Sequence, residues 1–115
     1  MKVRVWLVSR KGVYTYDVRE DIEKLRKRLG VLQILGVVKE YRYTVGEGAL
    51  GSWVEFEIQE LEALPHIVEG VKSIDYIDIT IGKKVVSIHD VRDLHALIAI
   101  MEAGVRDGNH GREGG

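Results

Sequence analysis

Residues 52–58 read Ser-Trp-Val-Glu-Phe-Glu-Ile, an alternation that puts Val54, Phe56 and Ile58 on one side of an extended strand and Trp53, Glu55 and Glu57 on the other. Residues 2–8 share this period of two, with Val3, Val5 and Leu7 on one face and Lys2, Arg4 and Trp6 on the other. Residues 71–81 carry it a third time, grouping Ile77, Ile79 and Ile81. Half-buried strands of this kind, separated by segments of helical period, restrict the chain to an α+β architecture: a sheet whose apolar face is covered by helices.

The first helical segment is the clearest. Val18, Ile22, Leu25, Leu29 and Leu32 step by four and three, which makes one apolar stripe. Asp17 stands where an N-cap belongs, and Glu20 follows three residues later as in a capping box. Glu20/Lys24 and Glu23/Lys27 are i,i+4 pairs in the favourable order. The helix can end at Gly30 or at Gly36; the continuing stripe favours Gly36. Upstream, residues 9–12 form a turn, after which residues 13–16 either pair back or run extended. Downstream, residues 37–45 form a strand joined to 52–58 as a hairpin. Leu61, Leu64 and Val68 mark a short helix over 59–69, which Pro65 is expected to break or kink.

A faint internal repeat pairs Gly36-Val37, opening a strand that ends Tyr43-Thr44-Val45-Gly46, with Gly70-Val71, opening one that ends Ile79-Thr80-Ile81-Gly82. Each follows a helix. Two βαβ halves of this kind predict a ferredoxin-like βαββαβ antiparallel sheet over residues 2–81, with helices on one face. A strand at 85–88 and a helix from about 90 to 103, striped by Val91, Leu94, Ile98 and Met101 with Leu97 beside them, extend this core over 82–103. Residues 1–103 are expected to make a single domain, with Gly104 stopping the last helix and 104–115 forming a disordered glycine-rich tail. The element order over 2–81 resembles small ferredoxin-like regulatory domains such as the ACT and RAM effector-binding modules. The resemblance implies dimerisation through sheet edges or faces, with small effectors bound at the seam.

Charge and composition narrow the function. A formal net charge of −1 supplies no global attraction for nucleic acid or an acidic membrane. With no cysteine, thiolate chemistry and disulfides are excluded. No apolar run reaches the ~18 residues of a membrane span, and the start of the chain lacks the apolar stretch of a signal peptide, so a cytoplasmic location is expected. Asn109 is the single asparagine and Gln33 and Gln59 the two glutamines, a bias shared with thermophile proteins.

Candidate chemistry is sparse. Gly46-Glu47-Gly48-Ala49-Leu50-Gly51 spells a glycine motif, but a strand leads out of it where a dinucleotide site needs a helix. It reads as a hairpin tip, with Gly46, Gly48 and Gly51 as anion-loop candidates through their exposed amides. His89, Asp93 and His95 are dense in ligand-type side chains, yet His95 lies ~240° round the helix from His89, so the three do not converge. His66 and His110 are isolated. Glu55 and Glu57 share a strand face, where ion pairs with Arg4, Lys2 and Arg42 account for them. Arg19, Lys24, Arg26, Lys27 and Arg28 put a basic patch on the first helix, diluted by acidic neighbours. No catalytic residue, metal set or cofactor is indicated, and enzymatic activity is not favoured.

The outer face of the sheet is the richest feature. It collects Trp6, Trp53, Tyr76, Ile74 and Val8 amid Arg4, Arg42, Glu40, Glu55, Glu57 and Asp78. Tryptophans grouped on one exposed sheet face are unusual for a monomer. A second copy of the chain can pack there, giving a homodimer or higher homo-oligomer. The C-terminal helix can fold back over it. Unpaired bases can stack on its rings, although the carboxylates oppose phosphate and the aromatic RNA-binding signature is missing. The favoured function is a small non-enzymatic self-associating domain of regulatory type that binds a small molecule or a protein partner; nucleic-acid association is the alternative, and no membrane partner is expected.

Overall fold

The computed structural model describes residues 1–45 and 51–114, with side chains described to residue 103. Strand β1 (Lys2–Leu7) leads into a small hairpin, β2 (Arg10–Lys11) and β3 (Tyr14–Thr15), followed by helix α1 (Val18–Ile34). Strands β4 (Val38–Thr44) and β5 (Ser52–Ile58) come next, then a 3-10 turn at Leu61–Ala63 and helix α2 (Leu64–Val68). Strands β6 (Ile74–Ile81) and β7 (Lys84–Ile88) precede helix α3 (Val91–Gly114). The five long strands form one antiparallel sheet in the order β4-β5-β1-β6-β7.

The alternation in β1 and β5 sends Val3, Val5, Leu7, Val54, Phe56 and Ile58 to one side, where all are buried. On that side Ile22, Leu25 and Leu29 of α1, Leu64 and Ile67 of α2, and Leu94 of α3 join the same apolar cluster. All three helices therefore lie on one face of the sheet. α3 does not cover the opposite face, so the sequence-based alternative of a C-terminal helix folded over the tryptophans is not realised. The reason is that Leu94 is fully buried in the core cluster and α3 contacts both β7 and α2, which holds the α3 stripe against the helix layer. Leu97, Ile98 and Met101 follow it inward, while Val91 stays 53% exposed and leaves the predicted stripe.

Helix α1 takes the longer of the two lengths open to it. The Asp17 carboxylate accepts from the Glu20 amide at 3.1 Å, and Gly36, at φ +78°, ends the helix just past the Leu35 cap. Residues 14–15 pair back on 10–11 around Gly12. Pro65 neither breaks nor kinks α2: it occupies the first helical turn, where its missing N–H costs nothing. The backbone of α3 runs past Gly104; a glycine costs about 1 kcal/mol in a helix interior without terminating it. The tail expected at 104–115 falls outside the residues whose side chains are described.

The closest ion pairs on α1 are i,i+3 ones, although the charge of Lys27 also acts on Glu23 as the expected i,i+4 pairing has it. Arg26 forks onto Glu23, and Lys24 lies 4.0 Å from Asp21. Lys24 also donates to the Gly70 carbonyl at 3.1 Å, and Arg28 donates to the carbonyls of Ile67, at 2.9 Å, and Glu69. Two members of the basic patch thus satisfy the carbonyls left open where α2 ends.

Candidate interaction face and adjoining cleft

With the apolar faces of β1 and β5 turned to the helices, the intervening residues line up on the far side of the sheet. Strand register places Thr44, Trp53, Trp6 and Tyr76 in one cross-strand row and Arg42, Glu55, Arg4, Asp78 and Ser87 in the next. Lys2 stands between Glu57 and Thr80 in a third. The predicted candidates Trp6, Trp53, Tyr76, Arg4, Arg42, Glu55 and Glu57 are therefore brought onto one surface.

Their contacts are mutual. The Trp6 and Tyr76 rings stack with centroids 5.9 Å apart, and the Arg4 guanidinium lies 5.4 Å from the Trp6 centroid and 4.6 Å from that of Trp53. A cation so placed is held by the ring faces. Arg4 also donates to Glu55 Oε1, at 3.0 Å from its terminal nitrogen, while Arg42 donates to Glu55 Oε2. Asp78 accepts from the Trp6 indole N–H at 3.3 Å and from the Ser87 hydroxyl at 2.6 Å. Trp6, Trp53, Tyr76, Arg4, Arg42, Glu55 and Asp78 thus form a lattice in which each ring or ion meets a neighbour on the face.

Glu55 is the buried centre of this lattice, 5% exposed. Burial is the largest single influence on its carboxyl and favours the neutral form. The hydrogen bonds from Arg42 and Arg4, together with their charges, outweigh it and hold the group below the ordinary glutamate value.

Ile74, expected on this face, is not there. A bulge between Trp6 and Leu7 pairs Leu7 with Ile74 and skips Asp75, so Ile74 turns to the core side. One inserted residue reverses strand parity, and the sequence pattern carries no mark of it. Of the anion-loop candidates, Gly46 and Gly48 lie outside the described residues. Gly51 has φ +65°, and a Cβ there would stand 2.9 Å from the Leu7 carbonyl oxygen, so glycine is required by backbone approach.

Two features escaped the sequence reading. Asp21, one of the acidic residues that dilute the basic patch of α1, is buried and accepts from the Ser73 amide at 2.9 Å and hydroxyl at 2.6 Å, tying α1 to the approach to β6. The second is a cleft of 690 Å³ where α2 ends, β6 begins and β7 passes into α3. His66, read as isolated, and His89 and His95, read as neighbours that do not converge, all line it. His89 also packs against Tyr76, with ring centroids 5.5 Å apart. Among the described residues no three His, Asp or Glu side chains are grouped so as to hold a metal ion, and no helix is long and apolar enough to cross a membrane.

The chain matches no family model, no curated protein and no solved structure.

Proposed function

We propose that this chain is a non-enzymatic, ferredoxin-like domain that associates with a second copy of itself through the outer face of its sheet. The ferredoxin-like reading is supported by the connections: α1 carries the chain from β1 past β5 to β4, and the α2 segment carries it from β5 past β1 to β6.

The single observation that carries the association is the Trp53–Trp6–Tyr76 row, half-exposed on the side away from all three helices. Strands of five to eight residues at ~3.4 Å each, five abreast at ~4.8 Å, give a footprint of roughly 550 Å². That approaches the ~800 Å² per partner of a standard interface. Lys2, Arg4 and Arg42 are matched on this face by Glu55, Glu57 and Asp78. A balanced surface suits its own two-fold image better than a polyanion.

Sedimentation velocity at high-micromolar concentration tests the reading. The wild-type chain is expected at twice its 13.0 kDa mass, and Trp53→Lys at 13.0 kDa with an unchanged far-UV spectrum. A monomeric wild type ends the proposal. Salt-sensitive quenching of tryptophan fluorescence by mixed oligonucleotides would replace it with single-strand binding.

A further inference from the structure

The cleft between α2, β6 and α3 has a divided chemistry. Its floor is apolar: Val68, Ile77, Ile88 and Leu94 are each no more than 6% exposed. Its rim is rich in N–H donors, with Lys11 and Lys72 alongside the three histidines. Two carboxylates also reach the rim, Glu69 and Asp90, and one of them is already matched. Arg92 donates from its backbone amide to Asp90 Oδ1 at 2.9 Å and from its guanidinium to Oδ2 at 3.0 Å. Lys11 gives one hydrogen bond to the Ile74 carbonyl at 3.2 Å, which leaves ammonium protons to spare. No hydrogen bond engages the side chains of Lys72, His66 or His95 among the described residues. The rim therefore holds two lysines and three imidazoles against one unmatched carboxylate.

We propose that this cleft binds a small organic carboxylate with an apolar body. The body occupies the aliphatic floor, and the carboxylate meets Lys72 and the rim histidines. At 690 Å³ the cleft lies within the usual size of small-molecule sites. Inorganic phosphate is disfavoured by a floor that offers it no donors. A metal is disfavoured because the imidazoles are spread round the rim and do not converge. The cleft borders the outer sheet face at the His89–Tyr76 contact, but Trp6, Trp53 and Tyr76 are not among its lining residues, so ligand binding and self-association are tested separately.

Amide chemical shifts of ¹⁵N-labelled protein, titrated with 3-phenylpropionate and with its uncharged amide, test the assignment. Saturable shifts are expected at Val71, Lys72, Val91 and Leu94, with the carboxylate bound at least about tenfold more tightly than the amide. Lys72→Glu and His66→Glu, both at exposed positions, are each expected to weaken the carboxylate about tenfold and to leave the amide unchanged. Trp53→Lys should bind as the wild type does. The proposal is overturned by an absence of saturable shifts at millimolar ligand, by shifts centred on the outer sheet face, by equal affinity for acid and amide, or by rim variants that bind normally.

Discussion

Replacing Glu55 by Gln keeps the shape of the side chain and removes its charge, so it isolates what the two arginines contribute. A hydrogen bond to a charged group is worth ~1.5–3 kcal/mol. The two arms are unequal, because the Arg4 side chain is 34% exposed and that of Arg42 is 66% exposed. Water replaces most of what Arg42 loses, and the Arg4 arm, held between two indoles, carries the larger share. The expected loss is about 2 kcal/mol. Unfolding entropy of ~2.1 cal/mol/K per residue over this chain length converts that to a fall in Tm of about 8 °C. Acid supplies the control. The folded carboxyl titrates below its unfolded value of ~4.3, so its stabilisation is complete above that value and is lost as pH falls through the folded one. Thermal unfolding of the two proteins should therefore differ at neutral pH and converge in acid. A difference under ~0.5 kcal/mol at neutral pH, or a gap that persists undiminished in strong acid, refutes the account of Glu55 as a net stabilising ion.

Asp21→Ala leaves the buried Ser73 amide and hydroxyl without their acceptor and should cost about 2 kcal/mol in urea unfolding. Gly51→Ala combines a left-handed backbone with a Cβ driven against the Leu7 carbonyl, whereas Gly36→Ala meets open space; the first should cost well over 2 kcal/mol and the second about 1 kcal/mol, read from denaturant midpoints. Leu25→Ala opens a cavity in the fully buried centre of α1 and should cost about 3 kcal/mol by the same measurement.

The strands and their inward faces were legible because period two leaves no freedom once one face is apolar: Val3, Val5, Val54 and Phe56 could point only one way. Trp6 and Trp53 followed by parity; that they stand opposite each other is set by the strand register, which the alternation does not carry. Ile74 did not, because a bulge is a local choice made by tertiary packing and leaves the alternation of the sequence intact. Asp21 was hidden for a different reason. A carboxylate in the first turn of a helix looks the same whether it meets water or a serine 52 residues away. The cleft was hidden most completely, since its rim joins His66 to His89 and His95, and nothing in the spacing of these residues shows that β7 folds back beside β6 and delivers α3 to the end of α2.

The position of β1 also bears on how the protein is made. The first strand synthesised is the middle one of the finished sheet, and its neighbours are β5 on one side and β6 on the other. At ~5–20 residues per second, a growing chain spends seconds translating the stretch that separates β1 from even its nearer neighbour. Until then Val3, Val5 and Leu7 have no strand to pair with, while α1 can form from contacts close in sequence. A nascent chain halted before β5 thus presents an unpaired apolar strand, and chaperone capture should peak at that length and fall once β6 has emerged.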